Sequence, residues 1–244
     1  MMEYGEGERR SSGGGKERRQ EGGGNRGDKS QFKAFASTIR AKPALEGEHP
    51  LEFEWIYWHL GGAGTGARAG TSPSYIPKPI GAFNTVEGFW QFSAHLVSPA
   101  RLPSGHTYHV FKHPITPRWE DKNNEGGAKW MFQLANGHPK LDAVWQDLMV
   151  AAVGETLEED NKYLVCGLVI SRRKPFDKFA VWLRASAVES DAAKRIGSRI
   201  AAILSAHDPS IKLAYQLHRH EREQGGGDSR RRMTPSSASS TSDI

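Results

Sequence analysis

The sequence predicts an α+β domain, in which helices pack on one face of a mostly antiparallel sheet. Strand-like apolar segments are interleaved with segments of helical periodicity. They follow one another in the order strands, helix, strands, helix, hairpin, helix, strand. This order is typical of helices that cover one side of an antiparallel sheet. The chain contains no internal repeat.

The first part of this domain predicts a strand, a loop and a helix. Residues 51–60 are rich in aromatic side chains and predict a strand, whereas residues 61–74 predict a glycine-dominated loop. Asn84 is the expected N-cap of a helix that begins near Thr85, with an acidic residue three positions after the cap. The apolar stripe of this helix comprises Val86, Phe89, Trp90 and Leu96.

The middle of the domain predicts two strands and a second helix. Residues 107–111 and 129–134 have strand character and flank a polar loop that contains Trp119. Asp142 is the expected N-cap of the second helix, and Gly154 lies at its expected C-terminal end. The residues expected to face inward are Trp145, Leu148, Met149 and Ala152.

The last part predicts a hairpin, a third helix and a final strand. The hairpin comprises residues 163–171 and 179–183, the helix spans about residues 189–204, and the strand covers residues 211–217. The third helix is expected to bury Ile196, Ile200 and Ile203 and to expose Lys194, Arg195 and Arg199.

Composition predicts that the folded domain has a disordered tail on either side. Residues 1–48 and 218–244 are rich in glycine, serine and charged residues and cannot bury enough apolar surface to offset the entropy of ordering. We therefore predict a folded domain at residues 49–217. The whole chain carries a net charge of +5, but between residues 49 and 217 basic and acidic residues are nearly balanced. That balance argues against a binder of duplex nucleic acid that relies on general phosphate neutralisation.

Several other classes of protein are not expected. Cys166 is the only cysteine, so an intramolecular disulfide and a multi-cysteine zinc site are excluded. His106 and His109 would point to opposite faces of a strand, so they are not expected to share a metal. No apolar stretch approaches the ~20 residues that cross a bilayer. We expect a soluble protein of the cytoplasm, with the nucleus as an alternative, and no catalysis, cofactor or membrane partner.

Two clusters indicate a local nucleic-acid site. Trp119 is followed by Glu120 and Asp121 in a charged stretch, which is typical of an exposed aromatic residue. An aromatic ring beside a carboxylate suits a guanine-type base, because the ring stacks on the base and the carboxylate accepts hydrogens from its edge. The predicted hairpin adds a set of basic side chains suited to phosphate, namely Arg172, Arg173, Lys174 and Lys178.

Motifs from His49 to Leu217 resemble the eukaryotic translation initiation factor 4E family in order and spacing. The matching motifs are His49-Pro50-Leu51, Trp55, Trp58, Val86-Glu87-x-Phe89-Trp90, Phe111-Lys112, Pro117-x-Trp119-Glu120-Asp121, Gly126-Gly127-x-Lys129-Trp130, Gly154-Glu155, Cys166-Gly167 and Asp177-Lys178 to Trp182. The resemblance implies a curved antiparallel sheet backed by three helices on its convex face. It also implies that the 7-methylguanosine cap of messenger RNA binds on the concave side.

The resemblance assigns cap-binding roles residue by residue. Trp119 matches the family's second stacking tryptophan, Glu120 the carboxylate that accepts the guanine N1 and N2 hydrogens, and Trp182 the tryptophan that meets the base methyl group. Tyr75 is the nearest aromatic to the first stacking position. The residues that match phosphate-binding positions are Lys129, Arg173 and Lys178, with Arg172 and Lys174 as alternatives to Arg173.

On the convex side, the resemblance implies a second binding surface. Six residues match positions that dock a helix with the motif Tyr-x-x-x-x-Leu-apolar: His49, Pro50, Val86, Trp90, Val150 and Gly154. The implied partner is a scaffold of the initiation factor 4G type or a 4E-binding protein. For Trp90, packing in the core is the alternative.

The sequence is compatible with three functions. The leading interpretation is a cap-binding protein that links messenger RNA to a scaffold in translation initiation. Tyr75 resembles the tyrosine of the family's second class, the 4E homologous proteins, so a cap-binding translational repressor is an alternative. A third interpretation is a peptide-binding module with weak cap affinity, because a phenol stacks less strongly than an indole.

Overall fold

Seven strands form one antiparallel sheet. The computed structural model describes residues 39–61, 76–158 and 163–218. Its strands are β1 (Pro50–Leu60), β2 (Lys78–Thr85), β3 (Thr107–Lys112), β4 (Ala128–Ala135), β5 (Val165–Ser171), β6 (Phe176–Leu183) and β7 (Ala214–Leu217). Their order across the sheet is β2-β1-β3-β5-β6-β4-β7, and each neighbouring pair is antiparallel. The predicted α+β class is confirmed: the sheet is curved and does not close into a barrel.

Three main helices accompany the sheet. They are α1 (Val86–His95), α2 (Leu141–Val153) and α3 (Ala192–His207), and a single helical turn at Ala185–Val188 precedes α3. In the described ranges, no helix is long and apolar enough to cross a membrane.

The alternation of strand side chains separates a helix-covered face from an open face. On β1, Trp55 and Tyr57 join the main core with the buried residues of α2 and α3. Ile56 and Trp58 point the opposite way and form a separate small cluster. Because strand side chains alternate between faces, the same division continues across the sheet. By this alternation, Lys129, Lys178 and Trp182 lie on the open face.

Both predicted helix N-caps were wrong by one or two positions. Thr85, not Asn84, caps α1, because its hydroxyl accepts a hydrogen bond from the Gly88 backbone N–H at 2.9 Å. Lys140 precedes α2, and Asp142 lies in the first turn, where its carboxylate accepts a hydrogen bond from the Ala100 backbone N–H at 2.7 Å. Asn84 and Thr85 are both able to cap α1, and Thr85 does so, whereas at α2 the Asp142 carboxylate bonds outside the helix and no side chain caps it.

The end of α2 is close to the prediction. Gly154 is the C-cap, as expected, but the left-handed backbone conformation belongs to Glu155, with φ of 58°. That conformation is common one residue beyond a helix, although glycine is usually found there. The four side chains predicted to face inward from α2 are all buried: Trp145, Leu148, Met149 and Ala152.

The third helix begins and ends three residues later than predicted. Ile196 and Ile200 are buried as expected, whereas Ile203 is only half-buried. Arg199 was expected to be exposed, but it is half-buried and donates a hydrogen bond to the Leu157 carbonyl at 3.0 Å. A guanidinium that reaches a neighbouring carbonyl can keep its aliphatic part against the core, so helical periodicity alone misplaced it.

The sequence did not predict β2. Its residues include Pro79 and Gly81, which disfavour a strand assignment. The strand lies at the edge of the sheet, where a proline loses no required ladder hydrogen bond. Gly81 permits close packing, because a Cβ atom there would lie 2.0 Å from the Phe92 ring.

The chain is described from residue 39, ahead of the predicted domain start. Arg40 pairs with Glu54 at 2.8 Å, and the Ala41 backbone N–H donates to the same carboxylate at 3.0 Å. These contacts fasten residues 40 and 41 to β1. The boundary at residue 48 stays a prediction.

A buried ion cluster joins β3, the end of α2 and the start of β5. The fully buried Lys112 ammonium lies 2.8 Å from Glu155 and 2.6 Å from Glu158. Glu158 also accepts hydrogen bonds from the backbone N–H groups of Leu164 and Val165. One cation therefore faces two carboxylates. Burial raises the pKa of Glu155 to about 7, an effect that Glu158 increases and Lys112 opposes.

Replacing this lysine should strongly destabilise the fold. Lys112→Met keeps much of the side-chain length but leaves the two carboxylates without their cation. Breaking a buried ion pair in this way costs about 3–5 kcal/mol, which denaturant unfolding would measure. The matched control is Lys140→Met at an exposed position, which should change stability by less than about 0.5 kcal/mol. Equal stability of the two variants would contradict a structural role for the cluster.

Candidate functional site

The loop between β3 and β4 carries the exposed aromatic candidate and is held by its own hydrogen bonds. Asp121 organises it: one carboxylate oxygen accepts from the Thr116 backbone N–H at 2.9 Å and from its hydroxyl at 2.7 Å. The other oxygen accepts from the Asn123 backbone N–H at 2.9 Å and from its side chain at 2.8 Å. These bonds fix the loop backbone before and after Trp119 and Glu120, which directly precede Asp121.

Further contacts hold the loop together and join it to the end of β6. The buried Asn124 side chain donates to the carbonyls of Thr116 and Arg118 at 2.9 and 2.6 Å. Arg184, which follows β6, donates to the Asn123 side-chain oxygen at 2.9 Å and stacks on the Tyr163 ring at 3.7 Å. The loop is therefore a preorganised platform, which reduces the entropy lost when a ligand binds.

On this platform, Trp119 and Glu120 stand next to each other. Trp119 is 44% exposed, as predicted for a surface aromatic. Glu120 is half-buried, and its two oxygens lie 3.1 and 3.3 Å from the Arg118 guanidinium. The carboxylate therefore already has a cationic partner, which the sequence did not reveal.

The open face of the sheet brings together three of the candidate residues. Lys129 on β4 is the direct cross-strand partner of Trp182 on β6, and its ammonium lies 5.9 Å from the Trp182 ring centre. Burial lowers the pKa of Lys129, and the nearby charge of Lys178 lowers it further. Two cations that repel each other beside a half-exposed indole form a place where an anion would be stabilised.

The basic hairpin divides its cations between the two faces. Arg172 is buried, pairs with the carboxylate of Asp177 at 3.1 Å and donates to the Pro99 carbonyl at 2.9 Å. Its guanidinium is therefore committed to the fold, which argues against Arg172 as an alternative to Arg173. Arg173 is half-buried, and Asp177 accepts its backbone N–H at 2.9 Å. Lys174 and Lys178 are exposed.

Tyr75, the candidate for the first stacking position, lies outside the described residues, as does the glycine-rich stretch before it. The pairing of Tyr75 with Trp119 on either side of a base therefore stays a prediction. Trp55 and Trp58 are both fully buried core residues.

Sequence reasoning missed His218, which lies beside Trp182. It follows β7, and its ring centre is 4.5 Å from that of Trp182. Its Nδ1 donates to the Asn124 carbonyl at 2.8 Å, and its backbone N–H donates to the Gly127 carbonyl at 2.8 Å. Composition assigned His218 to the predicted disordered tail. Its position directly after the last predicted strand was the sequence feature that could have indicated an ordered residue.

On the helix side, four of the six partner-surface candidates come from the junction of β1, β2 and α1. His49 is exposed, and its ring and backbone N–H both contact the Glu87 carboxylate, at 2.7 and 2.9 Å. Pro50 is paired with Thr85 across the strands, and Val86 begins the helix. Because Val86 and Trp90 are four residues apart on α1, their side chains share one face.

These helix-side candidates are exposed to solvent. Trp90 is 45% exposed, so the alternative that it packs in the core is wrong. Val150 on α2 is 43% exposed, and Gly154 at the end of the same helix is also exposed. Exposed apolar side chains of this size on neighbouring secondary-structure elements are a common feature of protein interaction surfaces.

No group of three or more histidine, cysteine or carboxylate residues able to hold a metal ion occurs in the part of the chain that the structure describes. His59 and His106 do approach each other, with ring nitrogens 2.9 Å apart. His109 is buried, and burial lowers its pKa to about 3.

Comparison with known families identifies one match that spans most of the domain. A family model described as eukaryotic initiation factor 4E matches residues 50–233. Among curated proteins, eukaryotic translation initiation factor 4E of Saccharomyces cerevisiae is 34% identical over 161 residues, which cover 66% of this chain and 73% of that protein. Eukaryotic translation initiation factor 4E-2 of Schizosaccharomyces pombe is 33% identical over 198 residues, covering 81% and 79%.

Solved structures of eIF4E-3 proteins have a similar fold. The complex of Ascaris suum eIF4E-3 with an m2,2,7G cap has a TM-score of 0.61 at 31% identity, covering 75% of this chain and 96% of that one. The complex of Caenorhabditis elegans eIF4E-3 with the 4E-binding protein Mextli and a cap analog has a TM-score of 0.60 at 35% identity, covering 70% and 93%.

The two neighbouring carboxylates of the loop should differ sharply in their effect on stability. Asp121→Ala removes the acceptor of four hydrogen bonds and should cost about 2–3 kcal/mol, or about 5–10 °C in melting temperature. Glu120→Ala removes only a partly exposed contact with Arg118 and should change stability by less than about 1 kcal/mol. Calorimetry of both variants measures this difference, and a larger loss in Glu120→Ala would refute the assignment of Asp121 as the loop's organiser.

Proposed function

This chain belongs to the eukaryotic initiation factor 4E family, and we propose that it binds the 7-methylguanosine cap of messenger RNA on its open sheet face. We propose further that its helix-covered face binds a helical segment of a scaffold protein, so that the chain links capped RNA to the initiation machinery in the cytoplasm. The observation that carries this proposal is the preorganised loop with an exposed Trp119 beside Glu120, in a chain whose family match covers the whole described sheet.

The base of the cap would be recognised by Trp119 and Glu120 together. Methylation at N7 gives guanine a positive charge, so an indole that stacks on it gains a cation–π attraction as well as dispersion. The same charge makes the N1 and N2 hydrogens stronger donors to the carboxylate. Base–aromatic stacking contributes about 1–3 kcal/mol, and hydrogen bonds to a charged acceptor contribute about 1.5–3 kcal/mol.

The triphosphate of the cap would lie near the cations of the open face. Burial lowers the pKa of Lys129, and the charge of Lys178 lowers it further, so the two ammonium groups lie close enough to repel each other. A phosphate between them would relieve the repulsion. Arg173 is the guanidinium we assign to the same phosphates, because Asp177 fixes its backbone while Arg172 is occupied inside the fold.

The scaffold partner would dock on the helix-covered side. His49, Val86 and Trp90 are exposed and are brought together by contacts that already exist in the chain, including the hydrogen bond from Val86 N to the His49 carbonyl at 2.9 Å. An amphipathic helix gains affinity by covering aromatic and aliphatic anchors of this kind. The two ligands would therefore bind opposite sides of one sheet and would not compete for surface.

Cap recognition should appear as a preference for the methylated nucleotide. We expect the protein to bind 7-methyl-GTP at least about tenfold more tightly than GTP, equivalent to about 1.4 kcal/mol, because the cationic base gains both stacking and hydrogen-bond strength. Titration followed by tryptophan fluorescence measures both affinities. Trp119→Ala should remove most of the preference, and equal affinity of the unaltered protein for the two nucleotides would contradict the proposal.

Partner binding should depend on a different tryptophan. Trp90→Ala should weaken binding of a synthetic Tyr-x-x-x-x-Leu-apolar helix by at least about 2 kcal/mol, because a large aromatic anchor is lost. Affinity for 7-methyl-GTP should remain within about twofold, equivalent to about 0.4 kcal/mol. Isothermal titration with peptide and nucleotide measures both.

Trp119→Ala and Trp90→Ala are matched controls for each other, because both tryptophans are similarly exposed. Trp119→Ala should leave peptide affinity unchanged while it weakens nucleotide binding. If either variant lost both activities together, the two faces would not be separate binding sites.

A further inference from the structure

His218 contacts two parts of the candidate site, the Trp182 ring on β6 and the loop that carries Trp119 and Glu120. Its ring packs against Trp182 on β6, at a ring-centre distance of 4.5 Å and an angle of 56°. Its Nδ1 donates to the carbonyl of Asn124, in the loop that carries Trp119 and Glu120. A single side chain therefore contacts both the indole on the sheet and the backbone of the loop.

The end of the sheet explains how this ring reaches both partners. β7 pairs with β4 up to Leu217 opposite Ala128, and His218 continues the ladder through its backbone hydrogen bond to Gly127. Gly127 must lack a side chain, because a Cβ atom there would lie 2.1 Å from the Leu183 carbonyl oxygen and 3.0 Å from that of Asn124. The Asn124 oxygen that a side chain at Gly127 would crowd is the one to which His218 donates.

The charge state of the ring follows from its surroundings. Burial lowers the pKa of His218, and Lys129 lowers it further, while the hydrogen bond to Asn124 opposes the shift. The imidazole is therefore neutral at pH 7. Since Nδ1 carries the hydrogen, Nε2 is an unprotonated nitrogen, and it is buried without a hydrogen-bond partner among the described residues. A neutral ring adds no positive charge beside the indole.

We propose that His218 is a positioning residue of the cap site, which fixes the Trp182 ring relative to the loop that carries Trp119 and Glu120. This inference rests on the proposed function. Trp182 is the tryptophan assigned to the methylated side of the base, so a ring that holds it in place acts on the discrimination between methylated and unmethylated caps. The Trp182 ring also meets the Phe111 ring edge to face, with ring centres 5.6 Å apart, and His218 adds a contact that is itself hydrogen-bonded to the loop.

The ratio of affinities for 7-methyl-GTP and GTP distinguishes a positioning role of His218 from a purely structural one. Partial unfolding weakens the apparent affinity for every ligand by the same factor, because it reduces the fraction of competent protein. The ratio of affinities for 7-methyl-GTP and GTP is therefore insensitive to stability. A change in that ratio reports the geometry of the site itself.

The test compares this ratio in His218→Ala, Tyr215→Ala and the unaltered full-length protein. Tyr215 lies on β7, three residues before His218, but packs against Trp130 on the helix-covered side, with ring centres 4.8 Å apart. Tyr215→Ala should therefore lower the melting temperature and leave the ratio unchanged. His218→Ala should lower the ratio by about threefold to fivefold, as expected when one oriented cation–π contact is loosened.

A second variant covers the case in which His218→Ala does not fold. His218→Gln keeps an N–H donor for the Asn124 carbonyl but lacks the aromatic ring, so it should recover stability while the ratio stays low. An unchanged ratio in whichever variant folds would overturn the positioning role. Equal binding of both nucleotides by the unaltered protein would instead overturn the proposed function, and this inference with it.

Discussion

The period-two alternation of an antiparallel sheet that is buried on one side is the constraint on which both surfaces depend. Trp55 and Tyr57 face the helices, so the residues between and beyond them face the other way and cannot join the main core. The uncovered face can accept aromatic and cationic side chains because no helix packs there. β1 thus contributes to the main core on one side and to the small buried cluster of Ile56 and Trp58 on the other, while the residues exposed for recognition lie on other strands and on the loop.

The loop and the hairpin turn this open face into a specific site. Asp121 and Asp177 perform the same task in two places: each is a carboxylate that accepts backbone hydrogen bonds and holds a neighbouring functional side chain in position. Neither is a candidate ligand contact. These two aspartates are supports, whereas Glu120 and the exposed aromatic and basic residues are the candidates for contact with a ligand. This division explains why the site is locally charged although the domain as a whole is nearly neutral.

Sequence reasoning recovered most of the fold because long periodic segments dominate it. β1, β3 and β4 appeared at the expected positions, and the inward face of α2 was correct residue by residue. The edge strand β2 was missed, since Pro79 and Gly81 are unfavourable except at an edge, and edge position is a property of the whole sheet.

The candidate site was predictable only in part, for a similar reason. Local composition marks Trp119 as exposed, but nothing local shows that Arg118 already pairs with Glu120, that Arg172 turns inward, or that a residue beyond the last predicted strand packs on Trp182. Each depends on contacts between segments distant in sequence or on a side-chain conformation. Pattern analysis assigns residue types to faces, whereas tertiary packing decides which of them are free to bind.

The contact between Arg118 and Glu120 orients the carboxylate before any ligand arrives. The Arg118 guanidinium donates to both carboxylate oxygens, at 3.1 and 3.3 Å, and so holds the side chain in one direction. Each oxygen keeps a further lone pair, so the carboxylate can accept hydrogens from a base without losing the arginine. A ligand in the proposed site would therefore meet an acceptor that is already fixed in place.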